Sequence, residues 1–175
     1  MSQFPWPTVG GYDYYEVVSA LQKSIRRGLE DDALFWATEL YMSEYALHAW
    51  KRLLVIASED IGPAMNGASL VVKNLYDMWF ENKKSGEAKL WFVHAVLVLV
   101  RAPKTRIVDH ATIVFFEGKR EHREIPDWAL DIHTSSGRFL GRGYEHFFDI
   151  GASLAGEGTD EYRDRAKEIR CAKKK

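Results

Sequence analysis

Apolar residues recur at helical spacing from Tyr12 to about Arg123, and no stretch of that span alternates apolar and polar residues as a half-buried strand requires. A chain so patterned buries its apolar stripes by packing helix on helix, and the expected fold is all-α, a single bundle of about six helices. The first is predicted over residues 13–27, with Val17, Val18, Leu21 and Ile25 on one stripe and a stop at Gly28. The second starts at the acidic cluster Glu30-Asp31-Asp32, which suits a positive helix N-terminus, and turns Ala33, Leu34, Ala37, Leu40 and Tyr41 inward. The third, over 45–60, carries Ala46, Trp50, Leu53, Leu54, Ala57 and Ile61 inward and ends at Gly62-Pro63. The fourth spans 67–84. The fifth, 90–100, is apolar nearly all round and is expected at the centre of the bundle. After Pro103 a sixth is expected over 104–121, with Ile107, Ala111, Val114 and Phe115 inward.

Beyond residue 124 the pattern changes. Glycines at 137, 141, 143, 151, 156 and 158 break any period, while Trp128, Phe139, Tyr144, Phe147 and Phe148 make the stretch too aromatic for a disordered linker. The sequence therefore divides into an N-terminal extension (1–11), the bundle (12–124), an irregular Gly- and aromatic-rich segment packed back on it (125–158), and a terminal helix with a basic tail (159–175). At 175 residues there is room for one ordinary domain. Twenty-four basic residues against 25 acidic ones leave a net charge of −1, which excludes a global field that would drive the chain onto nucleic acid or membrane. The single cysteine, Cys171, excludes an intrachain disulfide and a Cys-rich zinc site, and fits a reducing compartment. Residues 1–11 lack the basic and apolar regions of a signal peptide, and 90–100 is about half the roughly 20 residues a membrane crossing needs. The expected location is the cytoplasm.

The segment 62–69 has the glycine spacing of a phosphate-binding loop, but Ala68 stands where the loop needs lysine and a helix precedes it instead of a strand. The chain also lacks the GxSxG, HExxH and CxxC patterns, and no cofactor or metal is expected. His94 and His110 lie on or beside apolar faces and read as hydrogen-bonded core histidines. His133 and His146 stand with Asp131 and Arg138 in the irregular segment. They form either a cleft holding an acid/base pair or a metal ion, which would make a small enzyme or metal protein, or a polar network that pins a loop. Charge is uneven along the chain, with six Lys or Arg against three acids between 101 and 123. Lys104, Arg106, Arg120, Arg123, Arg138 and Arg142 thus form a candidate nucleic-acid surface, in which cations contact phosphates while rings stack on unpaired bases. Glu59-Asp60 sits unfavourably at the negative end of a helix and requires a specific partner, with Arg52 or a neighbouring chain as candidates.

The run from Arg52 to Gly62, and within it Ala57-Ser58-Glu59-Asp60-Ile61-Gly62, resembles the hallmark of the C-terminal part of the RarA/MgsA family of replication-associated recombination ATPases, which are related to clamp loaders. Tyr14-Tyr15, Lys23-Ser24-Ile25-Arg26, Asp32 to Trp36, Ala102-Pro103-Lys104, Ile125-Pro126 and Gly143-Tyr144 with His146 resemble other parts of that region in the same order, over residues 12–150. The resemblance implies a helical, clamp-loader-type collar that self-associates into a tetramer beside DNA-handling surfaces. It does not extend to Walker motifs, for which residues 1–11 leave no space, so nucleotide hydrolysis is not expected. The implied role is a non-catalytic accessory one in replication, recombination or repair. Implied partners are single-stranded or forked DNA and a separate replication ATPase or single-strand-binding protein. Assembly is expected through Trp79, Phe80, Trp91 and Phe92, since aromatic residues are enriched at interfaces.

Overall fold

Asp13 opens α1 (Tyr14–Arg27) by accepting the Glu16 backbone N–H at 3.0 Å, and Gly28 closes it in the left-handed conformation at φ 72°. The structure, a computed structural model, describes residues 6–156, 158 and 160–172. They divide into two compact units, Met1–Lys119 and Arg120–Lys175. Among the described residues there is no strand, and no helix is long and apolar enough to cross a membrane.

In the first unit α1 packs antiparallel on α2 (Glu30–Met42), whose buried Ala33 and Ala37 let the two helices approach closely. Next come α3 (Ala46–Ile56), α4 (Ala68–Glu81) and α5 (Ala88–Arg101), the last two forming a hairpin. Leu21, Ile25, Leu40, Leu53, Ile56, Val96 and Leu99 are fully enclosed between these five helices. One end of the core is aromatic: Trp50 meets Phe92 edge-on at 5.4 Å, and Trp79 Nε1 donates to the Tyr41 hydroxyl at 3.2 Å. Trp79 and Phe92 are therefore core residues and not the exposed assembly positions the sequence suggested; of that group only Phe80 is half exposed. The periodicity identified their stripes without showing which of two adjacent aromatics points inward.

Two further expectations change. The buried face of α5 is the stripe Phe92, Ala95, Val96, Leu99 and Val100, while Leu90 and His94 face solvent; His94 and His110 are thus exposed and not core histidines. The sixth helix is much shorter than 104–121: α6 covers only Ile107–Thr112 and runs into a wide π-turn, Ile113–Glu117. Its apolar residues, expected inward, are instead exposed, with Val114 at 62% and Phe115 at 66%.

The second unit is a chain of short turns. A 3-10 turn at Asp127–Ala129 leads to α7 (Ser135–Phe139) and α8 (Tyr144–His146), which continues into a π-turn, Phe147–Gly151. The last element, α9 (Arg163–Ala172), starts later than the expected residue 159, a position outside the described residues. Lys167 and Arg163 of α9 reach the Asp149 carboxylate at 2.6 and 3.9 Å, and the Arg170 guanidinium lies over the Tyr144 ring at 5.4 Å.

Candidate functional site

The run Ala57–Ile61 is a π-turn continuing α3, closed by the Gly62 N–H donating to the Ala57 carbonyl five residues back. Widening the helix by one residue swings Asp60 inward, where its exposure is 0%. A buried carboxylate is tolerated only when its oxygens are filled. Arg26 Nε donates to Oδ1 at 2.5 Å, and Gln22 Nε2 donates to Oδ2 at 2.9 Å. Gln22 and Arg26 stand four residues apart on one face of α1, so a single helix supplies both donors. Arg52, the partner suggested by sequence, acts one step further out by donating to Gln22 Oε1 at 3.3 Å.

Glu59 is shared by Arg26 Nη2 at 3.2 Å and Arg106 Nη2 at 3.4 Å, and Arg106 also pairs with Asp109 of α6. The Asp60 carbonyl, freed by the π-turn, accepts the Thr105 N–H at 2.9 Å. The acidic pair therefore ties α1, α3 and the entry to α6 together. The hydrogen bond to Asp60 is the main cause that raises the Arg26 pKa above its usual value. With both oxygens engaged and no access to water, Asp60 fixes geometry and is not placed to accept a substrate proton. A shallow recess of ≈ 400 Å³ lies beside it, lined by Leu54, Val55, Ser58, Glu59, Val108, Asp109 and Thr112. The sequence flagged Glu59-Asp60 but not that Gln22, Arg26 and Arg106 are its partners; a glutamine on the buried stripe of α1, four residues before an arginine, was the available signal.

In the second unit Asp131 and His133 come together. The Asp131 carboxylate accepts the His133 backbone N–H at 2.8 Å, and its other oxygen lies 3.3 Å from His133 Nδ1. These bonds, the backbone one foremost, hold the Asp131 carboxyl below the usual range. Thr134 Oγ1 caps α7 by accepting the Gly137 N–H at 3.0 Å, and Gly137 abuts the Asp131 backbone so closely that a Cβ would collide with its carbonyl. Arg138 donates to the Ile132 carbonyl at 3.2 Å and to Ser135 Oγ at 3.3 Å, so it fastens this loop. His146 acts on Asp131 through its field, and its enclosed Nδ1 has no hydrogen-bond partner among the described residues. A pocket of ≈ 450 Å³ is lined by the segment 141–146 and Cys171. Among the described residues no three His, Cys, Asp or Glu side chains gather as a metal ion needs.

The six candidate nucleic-acid residues fall in both units. In the first, Lys104 Nζ donates to the Val100 carbonyl at 2.9 Å and to the Ala102 carbonyl, and burial pushes its pKa down. Arg106 serves Glu59 and Asp109, as described. In the second, Arg142 donates to the Asp127 and Leu130 carbonyls at 2.8 and 2.7 Å and pairs with the Asp127 carboxylate. Arg120 and Arg123 are exposed, and among the described residues no ion pair holds them.

The first unit is an all-α bundle closed by a buried acidic π-turn, with helix where a nucleotide-binding strand would stand before residues 62–69. The family model described as MgsA AAA+ ATPase C terminal matches residues 29–161, and the chain belongs to that family. Similar relatives include Replication-associated recombination protein A of Haemophilus influenzae, 33% identical over 156 residues and 84% of this chain. The proteins of the same name from Escherichia coli K12 and Bacillus subtilis are 31% and 34% identical over 84% and 81% of it. The chain spans about a third of the length of each: 34%, 34% and 35%.

Proposed function

We propose that this chain is a non-catalytic assembly and DNA-handling module that works in the cytoplasm in replication, recombination or repair. The observation that carries the reading is the match to the C-terminal third of replication-associated recombination proteins, outside their ATPase part. Two features of the structure support it. The bundle displays Ile107, Val114, Phe115 and Phe116 on one exposed apolar stretch, the kind of surface that self-association, here into a tetramer, would cover. Of the basic residues of the second unit, Arg120 and Arg123 are exposed and held by no ion pair among the described residues, which leaves both open to phosphate, while Arg138 and Arg142 brace the loops of that unit. A separate replication ATPase or a single-strand-binding protein would complete the working complex.

The test is binding of labelled single-stranded and forked oligonucleotides at low and moderate salt. Affinity is expected to fall linearly on logarithmic axes, and Arg120→Glu with Arg123→Glu to weaken it and flatten the slope. No binding at low salt would overturn the DNA part of the reading.

A further inference from the structure

The end of the α4–α5 hairpin carries Phe80, the half-exposed member of the aromatic group expected to serve assembly, beside a cluster of lysines that no assignment above uses. Tyr76 and Phe80, four residues apart on α4, lie with ring centroids 5.8 Å apart and planes 31° from parallel, and Phe80 is 49% exposed. Each ring has a lysine over it: Lys73 Nζ is 5.5 Å from the Tyr76 centroid and Lys83 Nζ 4.7 Å from that of Phe80. Lys84 in the turn and Lys89 in the first turn of α5 add two further exposed cations. One of the three nearby acids is ion-paired. Asp77 is paired with Lys73, which leaves Glu81 and Glu87, the latter with its carboxyl held below the usual range by its own backbone N–H and the Ser85 hydroxyl, beside three lysines. Among the described residues no ion pair holds Lys83, Lys84 or Lys89.

We infer that this hairpin end binds single-stranded nucleic acid, with a base stacked on Phe80 and phosphates met by Lys83, Lys84 and Lys89. The argument is one of complementarity. Phe80 is half exposed, and a phosphate that draws Lys83 from over its ring would free that face for a base, so ring and lysines match the alternation of base and phosphate along a strand. A duplex keeps its bases stacked on each other and offers Phe80 nothing. The inference rests on the DNA-handling reading and locates one contact for it, apart from Arg120 and Arg123.

The experiment is fluorescence anisotropy of a labelled oligothymidylate and a duplex of equal length, with the full chain, Phe80→Ala, Lys83→Ala/Lys84→Ala and Arg120→Glu/Arg123→Glu, each checked for an unchanged melting curve. Phe80→Ala is expected to weaken oligothymidylate binding on the order of tenfold with little change on duplex. Lys83→Ala/Lys84→Ala is expected to reduce the salt slope by about 1.4. If both hairpin variants bind like the parent while Arg120→Glu/Arg123→Glu fails, the DNA reading stands and this inference falls. Equal loss on single strand and duplex overturns the stacking contact, and no binding by the parent chain overturns both.

Discussion

The Asp60 side chain is fully buried and accepts from Arg26 Nε and Nη2 and from Gln22 Nε2, so its stability is hostage to those two residues. Removing Arg26 strands a buried charge, and Arg26→Ala is expected to cost about 3 kcal/mol in urea unfolding. Pairing Arg26→Met with Asp60→Leu is expected to cost less than Arg26→Met alone, because the uncompensated carboxylate leaves with its partner. Gly62 carries a second requirement: at φ 47° and ψ −131° it occupies backbone space that L side chains rarely enter, and a Cβ there would sit 2.9 Å from Val108 Cγ2. Gly62→Ala is expected to cost about 2 kcal/mol, read as a fall in melting temperature, and a neutral result would contradict this placement. The sequence exposed the anomaly at Glu59-Asp60 because acids belong at the other end of a helix. It concealed the partners, because Gln22 and Arg26 lie over 30 residues away and register between helices is a tertiary fact.

Elements that bury a full stripe were legible, and those that do not were misread. Helices α1 to α3 follow their apolar periods and their stop signals, down to the left-handed Gly28, whereas α5, apolar nearly all round, buries a single stripe. The α6 segment has the same period as a core helix, yet Val114 and Phe115 are exposed, since a period says that residues share a face and not what covers it. Val114→Asp with Phe115→Asp is therefore expected to leave the melting temperature nearly unchanged while reducing the sedimentation coefficient of an assembled state; a large loss of stability would mean the face is internal. In the second unit, α9 depends on charge. Lys167, by its hydrogen bond, lowers the Asp149 pKa, and Asp149 likewise raises that of Lys167. A lowered carboxyl pKa stabilises above its unfolded value, so this tie is expected to hold between about pH 5 and 9. It should be lost as pH falls below about 4, and the lysine's share only above about 10. Amide exchange over Arg163–Ala172 that is insensitive to acid would contradict it.

The whole molecule combines a bundle whose identity sits in its core with a second unit whose polar residues mostly fasten their own loops. Of the acid/base candidates, Asp131 and His133 make an Asx-type turn to which Arg138 donates, while His146 Nδ1 has no hydrogen-bond partner among the described residues. Spacing alone did not separate the two readings, because a loop-pinning network and a catalytic one draw on the same residue types. Family membership was readable from the residue run Ala57 to Gly62, which folds as a π-turn holding a buried acid and closed by a glycine of positive φ. The account of this chain as a self-assembling module is tested most directly by light scattering coupled to size exclusion across a range of concentrations. A mass of about 80 kDa, four times the 20.1 kDa chain, is the expected result. A constant 20.1 kDa at every concentration would contradict it.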